Sequence, residues 1–76
     1  MEEIIRILNE VKPGIDYTNP NMDLVKDNIL NQNDLINLAG RLNQIYGIDI
    51  DVEDTDMKWF KNPETIYKLV WEKQTT

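Results

Sequence analysis

The fold is decided by residues 31–47, NQNDLINLAGRLNQIYG. The apolar residues of this stretch recur at the 3.6-residue period of an amphipathic helix. They form one stripe: Leu35, Leu38, Ala39, Leu42, Ile45 and Tyr46. Asn31 is a favoured N-cap, and Asp34 suits the positive end of a helix. Because Gly47 accepts the left-handed backbone that ends a helix, we predict a helix from Gln32 to Tyr46.

The residues before this helix predict a first helix and a long, anchored connection. A first helix from Glu2 to Val11 is indicated by apolar residues at helical spacing: Ile4, Ile5, Leu8 and Val11. It ends at Lys12-Pro13-Gly14, because proline disfavours helix in the residue before it. Residues 15–30 form the connection, and its apolar residues predict packing on the core: Met22, Leu24, Val25, Ile29 and Leu30. A loop this long is usually functional or unusually well anchored.

The residues after residue 47 predict a linker and two further helices. Apolar and acidic residues alternate over residues 48–52 as in a strand, but a lone strand has no partner here, so we predict an extended linker. A short third helix is predicted over residues 53–60. The last helix begins with Asn62 as its cap, Pro63 at its first position and Glu64 in its first turn. It should bury Ile66, Leu69 and Val70 and fray over residues 73–76.

Length and composition favour a single all-α domain over residues 1–76, a four-helix bundle with three longer helices, a short third helix and a long first loop. The chain has no cysteine and no histidine, which fits a reducing compartment. It starts with acidic residues, and its apolar stretches are too short for a signal peptide or a membrane span. We expect a monomeric, cytoplasmic protein that does not insert into membranes.

Charge narrows the class of partner. Fourteen acidic and eight basic residues give a net charge of −6, and the basic residues are scattered along the chain. Nucleic-acid binding needs clustered lysine and arginine, so we expect no nucleic-acid partner. A basic protein surface fits better, because opposite potentials speed encounter.

The usual catalytic and metal-binding groups are missing. The chain contains no serine, cysteine or histidine, which removes the common nucleophilic triads. An acidic run, Asp49, Asp51, Glu53, Asp54 and Asp56, suggests calcium. However, a calcium loop begun at Asp49 needs glycine at its sixth position and glutamate at its twelfth, where this chain has Asp54 and Phe60. We therefore expect no metal site and no catalysis.

Four short pieces of sequence between residues 19 and 70 lie in a familiar order and spacing. They are Asp27-Asn28-Ile29-Leu30-Asn31-Gln32, Leu35-Ile36-Asn37-Leu38, Tyr46-Gly47-Ile48-Asp49-Ile50, and Trp59 with Asn62-Pro63 and Ile66. Together they resemble the acyl carrier protein family, most closely the D-alanyl carrier proteins of teichoic acid modification. The first piece resembles the family's run of an acidic residue, glycine, isoleucine or leucine, leucine, aspartate and serine. The others resemble its second helix, the exit from that helix, and its third-to-fourth helix junction.

The resemblance implies that residue 32 is the position of cargo attachment. In that family a serine there carries 4′-phosphopantetheine, and a helix N-terminus stabilises the linking phosphate. Here the residue is Gln32, whose carboxamide has no hydroxyl to attack coenzyme A. Asn31 and Asn33 have the same defect, and the nearest threonines are Thr18 and Thr55. We therefore expect no phosphopantetheine on this chain.

The helical period predicts the outward face of the second helix. With its cap, this predicted partner-binding face consists of Asn31, Gln32, Asn33, Ile36, Asn37, Gly40, Arg41 and Gln44. Family members usually carry acids along this helix, which meet basic patches on their enzymes. This chain has Asn31, Asn37 and Asn43 at the matching positions. The leading hypothesis is a carrier homologue that has lost its attachment site and acts as a protein-binding module.

Several alternatives stay open from the sequence. The chain is an active carrier if cargo attaches at Thr18 or Thr55, or if Gln32 was introduced in place of serine. Gln32 is either a docking residue or an ordinary polar replacement. Ile36 is either a docking residue or an ordinary exposed apolar residue. Gly40 permits close approach either by a partner or by another helix. The aromatic residues Trp59, Phe60 and Trp71 either cover the core or form a docking knob.

Overall fold

The structure, a computed structural model, describes residues 2–75 as three α-helices and two short 3₁₀ helices. The α-helices are α1, Glu2–Val11, α2, Gln32–Tyr46, and α3, Pro63–Thr75. The 3₁₀ helices span Val52–Asp54 and Met57–Phe60. No strand occurs among these residues. The prediction of an all-helical fold is therefore confirmed, and the predicted bounds of α1 and α2 are those observed.

The predicted short helix over residues 53–60 is wrong, and with it the count of four helices. Two 3₁₀ helices stand in its place because two aspartates each start a separate turn. The Asp51 side chain accepts a hydrogen bond from the Glu53 amide at 3.0 Å, and the Asp56 side chain accepts one from the Lys58 amide at 3.0 Å. Each cap competes with a continuous helix for the backbone.

The core is entirely apolar among the described residues. It contains Ile4, Ile7, Leu8, Tyr17, Met22, Leu24, Leu30, Leu35, Leu38, Ala39, Leu42, Ile50, Val52, Phe60, Ile66, Leu69 and Val70. On α1 the fully buried residues are Ile4, Ile7 and Leu8, of which Ile7 was not predicted, whereas Ile5 and Val11 are only partly buried and pack against the core. On α2 the predicted stripe is wrong at its last turn. Ile45 is 48% exposed and Tyr46 is half-buried there.

The long connection is anchored, as predicted. Leu24 is fully buried, and its amide donates to the Lys61 carbonyl at 2.7 Å. Leu30 is also buried, and its amide donates to the Leu24 carbonyl at 2.9 Å. Tyr17, which the sequence did not single out, is buried with its hydroxyl donating to the carbonyls of Leu8 and Lys12. The loop is therefore tied both to the end of α1 and to the second 3₁₀ helix.

The predicted caps of α2 and α3 are confirmed. Gly47 closes α2 with φ 64°. Residues 48–51 have no regular secondary structure, and the predicted linker ends one residue early, because Val52 already belongs to the first 3₁₀ helix. Asn62 starts α3 by accepting from the Thr65 amide at 2.9 Å. The predicted fraying over residues 73–76 is wrong at residues 73–75, because α3 continues to Thr75, and Thr76 lies outside the described residues. None of the described helices is both long and apolar enough to span a membrane.

Candidate functional site

The N-terminus of α2 is a complete helix start with residue 32 at its first position. Asn31 and Asp34 form a reciprocal capping box: the Asn31 side chain accepts from the Asp34 amide at 2.8 Å, and the Asp34 carboxylate accepts from the Asn31 amide at 3.1 Å. This arrangement satisfies two backbone donors that the helix leaves unpaired. Gln32 and Asn33 are exposed beside it. The site is accessible, and its side chains are carboxamides.

The predicted outward face of α2 faces solvent. Gln32, Asn33, Ile36, Asn37, Gly40 and Gln44 are exposed, and Arg41 is half-buried. The Arg41 guanidinium donates to the Glu10 carboxylate at 2.9 Å and to the Asn37 side-chain oxygen at 3.2 Å. Its charge is thus matched by a carboxylate of α1. The face presented to a partner is therefore polar, with its one charge paired, around one large apolar side chain, Ile36, which is 54% exposed.

A groove of about 340 Å³, called here the α2 groove, runs along one edge of this face. Its lining is Ile36, Ala39, Gly40, Asn43, Asp49, Ile50, Asp51, Val52 and Glu53. Of its apolar residues, Ala39, Ile50 and Val52 are buried and Ile36 is exposed. A Cβ atom placed on Gly40 would meet no atom within 4 Å. The glycine is therefore not required by a neighbouring helix, and the space above it is open.

The rim of the α2 groove is acidic, which the sequence analysis of the outward face missed. Asp49, Asp51 and Glu53 line the groove, and none of them forms an ion pair within the described part of the chain. No basic side chain belongs to its lining. The alternation of acidic residues over residues 49–53 is the sequence signal from which this acidic rim could have been predicted. Among residues 2–75, no group of three or more acidic side chains is close enough together to hold a metal ion.

Asn43 has a structural task. Its side-chain oxygen accepts from the Ile50 amide at 2.7 Å, and its side-chain nitrogen donates to the Ile50 carbonyl at 3.0 Å. Both hydrogen-bonding groups of the side chain are therefore used inside the molecule. Of the three asparagines at the positions of family acids, this one holds the linker and is not available to a partner.

The two threonines considered for attachment are engaged in local hydrogen bonds. The Thr18 hydroxyl and amide both donate to the Asp16 carboxylate, and the hydroxyl bond is the larger cause that lowers the pKa of Asp16. The Thr55 hydroxyl donates to the Asp51 carbonyl at 2.6 Å. Neither residue lies at an α-helix N-terminus, where backbone amides would stabilise a phosphate.

The aromatic residues divide between core and surface. Phe60 is fully buried, which makes it the residue that fills the core below α3. Trp59 is half-buried, with the Lys58 ammonium 5.8 Å from its ring centre. Tyr67 and Trp71 are 45% and 58% exposed, and they share a shallow groove of about 300 Å³ with Trp59.

Comparison of the sequence with protein-family models finds no match, and comparison with curated proteins finds none either.

Proposed function

We propose that this chain is a homologue of the acyl carrier proteins that has lost phosphopantetheine attachment and acts as a non-catalytic, protein-binding module. The observation that carries the proposal is the start of α2. It is a complete capped helix end, exposed to solvent, with Gln32 at the position where the resemblance implies a serine. A carboxamide there has no oxygen nucleophile for coenzyme A.

The backbone of Asn28 supports the resemblance independently of residue 32. Asn28 has φ 57°, the only described residue other than glycine with a positive φ. The left-handed region is costly for most residues, and glycine and asparagine adopt it most readily. In the family motif this position is a glycine. The structure therefore needs, at this point of the loop, the backbone conformation that the family's residue permits.

The proposed partner is a basic protein surface that contacts the N-terminus of α2 and the α2 groove. Ile36 offers apolar contact, and the rim offers three carboxylates without ion pairs. Complementary potentials increase the rate of encounter, while apolar contact at the centre supplies affinity. Because the one charge on the outward face of α2, that of Arg41, is paired with Glu10, electrostatic attraction would come from the segment after the helix.

Incubation with coenzyme A and a promiscuous phosphopantetheinyl transferase tests the loss of attachment. Intact-mass spectrometry should show no adduct on the wild-type chain and a single adduct on the Gln32→Ser variant. Asn33→Ser is the matched control, because it places a hydroxyl one residue further along the same exposed helix start, and it should stay unmodified. An adduct on wild-type protein would refute the loss, and peptide mapping to Thr18 or Thr55 would support an active carrier. Failure of Gln32→Ser to load would contradict the carrier resemblance.

A further inference from the structure

A second charged groove lies on another part of the molecule, between the first loop and the second 3₁₀ helix. It is called here the lysine groove, has a volume of about 420 Å³ and is lined by Asp23, Val25, Lys26, Asp56, Met57, Lys58 and Lys61. Three ammonium groups against two carboxylates leave it with one positive charge, in a chain of net charge −6. Its sign is thus opposite to that of the protein.

The three lysines of this groove differ from most other basic residues of the chain. Within residues 2–75, Lys26, Lys58 and Lys61 form no ion pair. Four other basic residues each have a carboxylate partner: Arg6, Lys12, Arg41 and Lys68. Lys26 and Lys61 are within Coulombic range of the Asp23 carboxylate, and the Lys58 ammonium lies 5.8 Å from the Trp59 ring centre. Their remaining charge is available to an external anion.

The two carboxylates of the lysine groove are directed to backbone amides. The Asp23 side chain accepts from the amides of Val25 and Lys26 at 3.0 and 2.9 Å. One Asp56 oxygen accepts from the Lys58 amide at 3.0 Å. Both residues therefore act as turn caps, as aspartate often does in loops. They reduce the positive potential of the groove without closing it to a ligand.

The walls of the groove are fixed to each other. The Leu24 amide donates to the Lys61 carbonyl at 2.7 Å, and Leu24 and Phe60 are both fully buried beside the lysines. Val25 and Met57 are half-buried and give the groove an apolar floor. Since the backbone of the two walls is held together in this way, a ligand can bind there at little cost in backbone ordering.

We propose that the lysine groove binds an acidic peptide segment of a partner protein, with carboxylates at the lysines and an apolar side chain over Val25 and Met57. A single phosphate fits less well, because the amides of Val25 and Lys26 are occupied by Asp23 and no backbone nest remains for it. A nucleic-acid backbone needs a more extended cluster of basic residues than this one groove, with three lysines and two aspartates, provides. The occupant thus differs in charge from the basic partner proposed for the α2 groove.

Amide chemical-shift mapping of ¹⁵N-labelled protein tests this assignment. The probe is a short synthetic peptide of aspartate, glutamate and leucine, and the control is the same peptide with asparagine and glutamine in place of the acids. Shifts confined to residues 23–26 and 56–61, seen only with the acidic peptide, are the expected result. Shifts spread over the lysines outside the groove, or equal shifts with the neutral peptide, would overturn the proposal.

A charge-neutralised variant provides the quantitative test. Lys26→Gln, Lys58→Gln and Lys61→Gln combined should weaken acidic-peptide binding about tenfold, the sum of three exposed ion pairs. The matched control is Lys12→Gln with Lys68→Gln, two exchanges at paired lysines outside the groove, and it should change affinity less than twofold. Unchanged affinity in the triple variant would refute the proposal. The oligomeric state is a second check. A wild-type protein that is dimeric and a triple variant that is monomeric would also refute the proposal, because the occupant of the groove would then be a second copy of the chain. Neither outcome depends on whether Gln32→Ser is loaded.

Discussion

The carboxamide of Asn43 forms two hydrogen bonds with one residue of the linker, accepting from the Ile50 amide at 2.7 Å and donating to its carbonyl at 3.0 Å. These are the two bonds that a neighbouring strand would form with a residue opposite it. The side chain therefore takes the place of a strand partner. This explains how residues 48–51 can follow a strand-like alternation of apolar and acidic residues without belonging to a sheet.

Asn43→Asp should destabilise the fold by about 1–3 kcal/mol, because a carboxylate can accept from the Ile50 amide but has no hydrogen for the Ile50 carbonyl. Urea unfolding followed by circular dichroism measures the change. The matched control on the same helix is Asn37→Asp, whose oxygen can still accept from Arg41 at the exposed face. Its effect should lie within about 0.5 kcal/mol. Equal losses in the two variants would contradict the role given to Asn43.

The capping box of α2 makes a separate prediction. Asn31→Ala removes the side-chain acceptor of the Asp34 amide and should cost about 1 kcal/mol in the free energy of unfolding. Asn33→Ala, two residues later and exposed, removes no capping bond and should leave stability within about 0.5 kcal/mol of wild type. Chemical denaturation of the two variants side by side checks this. An equally large loss of stability in Asn33→Ala would show that the capping bond of Asn31 is not the cause of the loss.

The helices could be predicted because each carries its own local signals. Asn31 marks the start of α2 and Gly47 its end, and Asn62 with Pro63 marks the start of α3. These signals do not depend on the rest of the chain. Residues 53–60 could not be predicted in the same way. There, the capping bonds of Asp51 and Asp56 compete with helix formation, and the balance depends on how Val52 and Phe60 are buried.

Tyr17 should make the stability of the protein decrease at alkaline pH. Burial of its ring, with a smaller effect of the nearby Asp34 carboxylate, raises the pKa of Tyr17 above its ordinary value of 10.0. A pKa that is higher in the folded chain gives stability that is fully present below the unfolded pKa and is lost as pH rises through the folded pKa. We therefore expect the contribution of Tyr17 to the free energy of unfolding to decrease above about pH 10.

The variant Tyr17→Phe measures this contribution. At neutral pH it loses the bonds to the carbonyls of Leu8 and Lys12 and should be less stable by about 1 kcal/mol. The difference from wild type should narrow as pH rises past about 10, by urea unfolding at a series of pH values. Tyr67→Phe is the control at an exposed tyrosine and should leave stability at neutral pH within about 0.5 kcal/mol of wild type. A constant difference for Tyr17→Phe would contradict the prediction.

The candidate site was predictable only in part, for a physical reason. Helical periodicity is enough to assign Gln32, Ile36 and Gly40 to one exposed face of α2. It does not reveal that residues 49–53 return alongside that face, because their position is set by Asn43, seven residues before Ile50. The acidic rim of the α2 groove, like the convergence of the lysines in the lysine groove, depends on contacts between segments distant in sequence.

Substitution by alanine should change the stability of the protein in opposite directions at Gly40 and at Gly47. Gly40 lies inside α2, and a Cβ atom there would meet nothing within 4 Å. Gly40→Ala should therefore stabilise the protein by up to about 1 kcal/mol through helix propensity. Gly47 has φ 64°, so Gly47→Ala should destabilise it by about 1 kcal/mol through backbone strain. Thermal or urea unfolding of the pair measures both changes, and a destabilised Gly40→Ala would mean that the α2 groove is closed in solution rather than open to a partner.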